Sequence, residues 1–316
     1  MLDGIDMQPN HRRQLPQLAG HQMFVTDGGL ETDLVFHHGI ELPFFAAFPL
    51  LEQPDGREVL RGYYAGYLDI ARGHGTGFVI EAATWRANPD WAARLGFSSE
   101  RLDSVNRRAI DLAEEVRAAA TLDGITAVVS GCIGPRQEVM TAAEAERYHS
   151  PQITTFAATT ADQVTAVTMN SAAEAIGIVM AAAAVDIPAA ISFTVETDGR
   201  LATGQSLREA VEEVDSATDR SAAYFMVNCA HPTHLATSFD DDGPWLRRLV
   251  GLRLNASKRS HAELDEAEEL DEGDPDDFGA GTAVVRERLP AATVFGGCCG
   301  TDARHVAAIW RRLTSH

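Results

Sequence analysis

Three cysteines carry the most chemistry in this chain. Cys298 and Cys299 are adjacent, in Val294-Phe295-Gly296-Gly297-Cys298-Cys299-Gly300-Thr301, and Cys229 ends the apolar run Phe225-Met226-Val227-Asn228-Cys229. Neighbouring cysteines are poorly placed to bridge to one another, because the backbone strains the disulfide. They can share a metal. Two thiolates from a glycine-flanked turn and one from a distant strand end make a three-sulfur site with one position open. That is the ligand pattern of catalytic zinc, and sulfur-rich ligation selects zinc over hard cations.

Such a site needs a scaffold that brings strand ends together. Short apolar runs recur at 21–26, 77–81, 126–130, 163–168, 189–194, 223–227, 250–254 and 292–295. Helical patterns separate most of them, at 56–72, 99–120, 142–157, 171–185, 207–217 and 276–288, and a last helix covers 302–313 with Thr301 or Asp302 as N-cap. Strand–helix alternation predicts a parallel sheet, and eight repeats predict a closed (β/α)8 TIM barrel in one domain. Asp27-Gly28-Gly29-Leu30-Glu31-Thr32 after the first strand lacks the spacing of a dinucleotide-binding loop. Residues 1–20 read as a loose N-terminal extension to a catalytic barrel spanning 21–316, and 256–275 as an insertion after strand seven.

Barrel enzymes place their chemistry at the C-terminal strand ends. Asp27, Gly28 and Gly29 follow strand one; Glu81 ends strand two, with Thr84 beyond it. Ser130-Gly131-Cys132 closes strand three, Thr168 strand four, Asn228 and Cys229 strand six, and Asn255 strand seven. Cys132 reads as a packed thiol. His231 and His234 read as a turn, His37 and His38 as surface. Phe44, Phe45, Phe48, Trp85 and Trp91 cluster in the first two strand–helix units, as core or lid packing or as faces for a cationic ligand.

The formal net charge is −20. So acidic a surface repels phosphate backbones, which argues against nucleic acid as a partner. Much of the charge lies in 263–277, read as a solvated helix or loop. No apolar tract is long enough to span a membrane and no secretory signal is apparent. Four cysteines, three of them ligand candidates, fit a reducing cytoplasm rather than a disulfide framework. The sequence leaves open a monomer or a small homo-oligomer.

Taken together, Thr26–Thr32, Ile80–Trp85, Ser130–Pro135, Gly199–Ser206, Val227–Cys229 and Gly296–Thr301 resemble the homocysteine S-methyltransferase family over about residues 22–313. The resemblance implies a (β/α)8 barrel with a three-cysteine Zn2+ site and methyl transfer to a thiol, typically homocysteine giving methionine. It implies a thiol acceptor and an onium methyl donor as small-molecule partners, either a sulfonium such as S-methylmethionine or the ammonium betaine. Zinc-promoted ionisation of the acceptor then makes a protein general base unnecessary, because the thiolate is the nucleophile. Asp27 with the Gly28 and Gly29 amides, Glu81, Thr84, Thr168, Asn228 and Asn255 are the expected substrate contacts. One position departs. The family's glutamate at the end of strand four falls at Val167, so Glu81 or Glu196 takes its place or the acceptor is a different thiol. A non-catalytic zinc- or thiol-binding protein and a zinc-activated-water hydrolase are the competing readings. Three anionic sulfurs disfavour the hydrolase, since their charge opposes water ionisation.

Overall fold

The computed structural model describes residues 10–314 except 21, 137, 236–237, 240–241 and 268. Eight parallel strands close a barrel in chain order. They are β1 (Phe24–Val25), β2 (Gly77–Glu81), β3 (Ala127–Ile133), β4 (Gln163–Met169), β5 (Ala189–Phe193), β6 (Tyr224–Asn228), β7 (Leu249–Leu254) and β8 (Val294–Gly297). β1 closes the ring by pairing with both β2 and β8. The strands are buried on both faces, which is why they read as short apolar runs rather than alternating ones.

Outward-facing strand residues join the large core beneath the helices. The inner face holds a separate cluster that includes Phe24, Val79, Val128, Tyr224, Met226 and Val294. Further along the strands the interior turns polar with Glu81, Ser130, Thr165, Asn228 and Arg253, all buried. This change from apolar floor to polar layer marks the catalytic end of the barrel.

Seven helices of eleven residues or more surround the strands: Pro54–His74, Ser99–Leu122, Ala142–Ala157, Ala172–Ala184, Leu207–Ala217, Pro275–Glu287 and Ala303–Leu313. Asp302, not Thr301, caps the last of them. Between β6 and β7 the described residues form only 3-10 turns, Pro232–Leu235 and Pro244–Arg248.

The sequence expectation of a loose segment over 1–20 needs correction where it can be seen; residues 1–9 lie outside the described residues. Residues 10–20 plug the N-terminal mouth of the barrel. The His11 backbone N–H donates to Asp162 (2.7 Å), and Arg12 donates to the carbonyls of Ala157 (2.9 Å), Thr159 (3.0 Å) and Ala161 (2.6 Å). Gln17 reaches Gln163 at 2.9 Å, and Leu15 packs on the inner apolar cluster. Few apolar residues mark this segment, and its anchoring is by side-chain and backbone acceptors far along the chain that no sequence pattern reveals.

Candidate active site

The glycines at the end of β8 let the first and last strand ends approach closely. A Cβ on Gly296 would lie 2.6 Å from the Asp27 carbonyl oxygen. A Cβ on Gly29 would lie 2.6 Å from the Cys298 carbonyl oxygen. The Asp27-Gly28-Gly29 turn therefore sits directly against the cysteine turn. Across the barrel, Cys229 leaves β6 with φ of 51°, a left-handed conformation that costs a non-glycine residue about 1–3 kcal/mol. That turn points Cys229 towards β8.

The sulfurs of Cys229, Cys298 and Cys299 all lie within 4.8 Å of one another. Cys229 Sγ and Cys299 Sγ are 3.8 Å apart, the spacing of about 3.8 Å that two sulfurs take at ~2.3 Å from one tetrahedral ion. Cys229 and Cys298 are joined as a disulfide, against the sequence expectation of free thiols. The convergence that suits a soft cation is the same one that brings these two sulfurs within bonding distance. The donor set fits a soft cation well. Cys132 is not part of the cluster; it is buried in the cavity wall, and burial pushes its thiol pKa well above the ordinary value.

The cluster opens onto a cavity of about 710 Å³ at the C-terminal mouth. Every expected contact lines it: Asp27, Gly28 and Gly29 from the β1 turn, Glu81 and Thr84 from β2, Thr168 from β4, Asn228 from β6 and Asn255 from β7. Asn228 is the hub of the far wall. Its Oδ1 accepts from the Thr168 backbone (2.9 Å) and the Ser192 hydroxyl (2.7 Å), and its amide lies 3.6 Å from Cys298 Sγ. Thr168 has φ of 64°, at a register shift between β4 and β5. Thr84 donates to the Cys132 carbonyl at 2.7 Å, tying the loop after β2 to β3.

The sequence did not single out Arg253, the buried cation of the polar layer. It donates to Asp27 Oδ1 at 2.6 Å and lies 4.0 Å from Glu81. The other Asp27 oxygen accepts from the Tyr63 hydroxyl at 3.1 Å. Burial raises the Asp27 pKa, with Arg253 opposing, so Asp27 is matched within the protein before any ligand arrives. Burial works against the charge on Arg253, and Asp27 and Glu81 more than offset it. An unmatched arginine on a strand otherwise made of Leu, Val and Gly was the available signal.

Glu81 is different. Its Oε2 is buried and has no hydrogen-bond partner among the described residues. Burial, only partly opposed by Arg253 and by the nearby Thr165 and Ser130 hydroxyls, pushes its pKa up to about 7. Glu31, also on the wall, is pushed up to about 7 by burial as well. Asn255 contributes a second buried acceptor, Oδ1, without a partner. Val167 lines the same cavity and offers no polar side-chain atom.

Three other expectations need adjustment. Of the five aromatics only Phe45 and Trp85 line the cavity, and the Arg86 guanidinium lies over Trp85 (4.8 Å) and Trp91 (4.2 Å), so those faces already carry a cation. The acidic segment is not simply solvated. It starts with a short helix, His261–Asp265, and both His261 and Leu264 form part of the cavity wall. His37 is not a bare surface residue, since it bonds Asp33 (2.8 Å) and Glu272 (3.1 Å). Asp33, His37 and Asp302 also bring ligand-type atoms within 4.8 Å, but Arg304 pairs with Asp302 at 2.6 Å and makes this an ion-pair cluster.

The cavity, its sulfur cluster and its orphaned acceptors are the features of a small-molecule enzyme site. Comparison with known proteins agrees. The chain is 24% identical over 316 residues to homocysteine S-methyltransferase 4 of Zea mays, covering 92% of this chain and 89% of that one. It is 22% identical to the selenocysteine Se-methyltransferase of Brassica oleracea var. italica, with the same coverage. Its fold matches the homocysteine methyltransferase MmuM of Escherichia coli in a metallated form (TM-score 0.70, 20% identity, 93% of this chain and 98% of that one). It also matches an oxidized form of the same protein (TM-score 0.73, 20% identity, 94% and 99%). The homocysteine S-methyltransferase family matches residues 24–313, nearly the whole chain, and the protein belongs to that family of methyltransferases.

Proposed function

We propose that this protein is a zinc-dependent thiol S-methyltransferase that moves a methyl group from an onium donor to homocysteine. The observation that carries the reading is the convergence of Cys229, Cys298 and Cys299 at the wall of a substrate-sized cavity. When bound there, zinc supplies a Lewis acid that favours the ionised form of the acceptor thiol. The three cysteines hold the ion, and the Asn228 amide beside Cys298 Sγ orients that ligand. Glu81 Oε2 and Asn255 Oδ1 are the unpartnered acceptors that suit the acceptor's ammonium, whereas the Gly29 N–H already donates to the Thr301 carbonyl (3.0 Å) and is not assigned to its carboxylate. Thr84 and Thr168 add polar contacts at the rim of that pocket.

The transfer is an in-line displacement. The acceptor sulfur forms a bond to the methyl carbon as the carbon–heteroatom bond of the donor breaks, and the electron pair leaves with a neutral donor product. No proton moves in that step. The protein contributes by holding sulfur and methyl in contact within the cavity. S-Methylmethionine, related sulfoniums and betaine are donors of the required class. Among the described residues no helix is long and apolar enough to cross a membrane; the proposed setting is the cytoplasm, with small-molecule partners and a monomer or small homo-oligomer.

The test is metal content and turnover together. Wild-type protein is expected to bind about one zinc per chain, and Cys298→Ala to lose both the ion and the methylation of homocysteine. Full activity after exhaustive chelation rejects the reading. Val167 in the cavity wall favours one variant of it, in which the acceptor is a thiol other than homocysteine. An acceptor-by-donor screen run in parallel on Val167→Glu decides between them, because a gain of homocysteine activity in the mutant means that the natural acceptor differs. Thiol binding without turnover against every onium donor points instead to a binding protein.

A further inference from the structure

The insertion after β7 folds back onto the sulfur cluster. Ser257 Oγ donates to Asp271 at 2.6 Å and closes the loop on itself. The Ala256 backbone N–H reaches towards the Cys299 carbonyl at 3.5 Å, and Gly273, with φ of 57°, lies against the Ala256 carbonyl. Ser260 and Glu263 form a capping box that starts the short helix His261–Asp265. The first residue of that helix is thereby aimed inward, into a strand end that already holds a sulfur ligand.

His261 Nε2 lies 2.6 Å from the Cys229 carbonyl oxygen, and His261 Nδ1 lies 3.2 Å from Glu196 Oε1 on the loop after β5. The Thr194 hydroxyl approaches the same carbonyl at 3.4 Å. The Cys229 N–H donates to the Arg253 carbonyl at 3.1 Å. The Cys229 peptide is thus held on both sides, by β7 through its N–H and by His261 through its C=O. This is the residue whose left-handed backbone turns its sulfur towards Cys298 and Cys299.

We propose that His261 is a positioning residue for the sulfur ligand Cys229. It donates through Nε2 to the Cys229 carbonyl and so fixes the turn that completes the three-sulfur cluster. The inference rests on the zinc reading above and extends it to a segment whose composition pointed to solvent. Hydrogen bonds that orient metal ligands from outside typically change metal affinity by about 10–100-fold when removed.

The experiment uses the full-length protein, with zinc affinity measured by chelator competition, the ligand-field spectrum of the cobalt(II)-substituted form, and the unfolding midpoint of the metal-free form. His261→Leu keeps volume and removes the donor; His261→Gln keeps a donor within reach. His261→Leu is expected to weaken zinc binding about 10–100-fold and to shift the cobalt bands, with the metal-free midpoint near wild type. His261→Gln is expected to recover much of the affinity. Equal zinc affinity and equal cobalt spectra in the two variants overturn the proposal, as does a loss of affinity matched by an equal loss of metal-free stability. A wild-type protein that binds no zinc overturns the zinc reading and this inference with it, whereas tight wild-type binding that ignores His261 overturns only the inference.

Discussion

Among single residues, the contrast between Asp27 and Glu81 decides how the cavity greets a ligand. Asp27 has both oxygens occupied, by Arg253 and Tyr63. Glu81 has one buried oxygen, Oε2, without a hydrogen-bond partner among the described residues, with the Ser130 and Thr165 hydroxyls close to the carboxylate, and a pKa pushed up to about 7 by burial. In the proposed reading an incoming ammonium would satisfy that oxygen and keep the carboxyl ionised. Glu81→Gln is therefore expected to raise KM for an amino-acid thiol roughly 10–100-fold, the worth of about 1.5–3 kcal/mol for a hydrogen bond to a charged group. Steady-state kinetics check this, and an unchanged KM assigns the ammonium elsewhere. Glu81 also sets a pH dependence in the absence of substrate. Its folded pKa lies above the ordinary 4.5, so between pH 4.5 and about 7 the folded state binds more protons than the unfolded one. Stability from this group is then greatest at low pH and falls as pH rises through that window, by at most on the order of 3 kcal/mol. Glu81→Gln removes that slope. Denaturant titrations are expected to show the mutant gaining on wild type from pH 5 to pH 8, and parallel curves count against the assignment.

At the scale of elements, the cysteine turn is held between β8 and the last helix. Asp302 caps that helix, accepting from the Arg304 N–H at 2.7 Å while its own N–H meets His305 Nδ1 at 3.2 Å. Gly300, with φ of 75°, lets the chain reverse between Cys299 and the cap. Loss of an N-cap side chain costs about 0.5–2 kcal/mol. Asp302→Ala is expected to lower Tm by a few degrees and to weaken metal binding, because the cap is three residues from Cys299. Calorimetry of metal-free and metal-loaded protein checks both effects; a fall in Tm with metal affinity unchanged would show that the turn is held from the β8 side alone.

Across the whole molecule, closure of the barrel depends on contacts far apart in the chain. Asp162, fully buried just before β4, accepts from the His11 N–H (2.7 Å), the Val129 N–H (2.9 Å) and the Arg117 guanidinium (2.6 Å). One carboxylate thus ties the N-terminal plug, β3 and the helix Ser99–Leu122 together at the stable end, opposite the chemistry. Removing one partner of a buried ion pair costs about 3–5 kcal/mol. Asp162→Ala is expected to lower Tm by roughly 5–8 °C with zinc stoichiometry retained in the folded protein. Loss of zinc binding in protein that is still folded would contradict this separation of the two ends.

Much of this was legible in the sequence. The βα period specified the barrel, because a strand buried on both faces has to be a short apolar run and a helix covering it has to be amphipathic. The fold then collects every strand C-terminus at one mouth, so Cys229, Cys298, Cys299, Asp27, Glu81 and Asn255 converge although they lie far apart in the chain. Only the tertiary structure decided how those groups are matched. Arg253 neutralises Asp27 and not a substrate, Arg86 covers the tryptophan faces, Asp162 anchors the N-terminal segment, and the acidic insertion turns His261 inward to a cysteine carbonyl. Burial and pairing depend on distances of a few ångströms between distant segments. A linear pattern records which residue types are present, while their partners and their protonation are set by what the folded chain packs beside them.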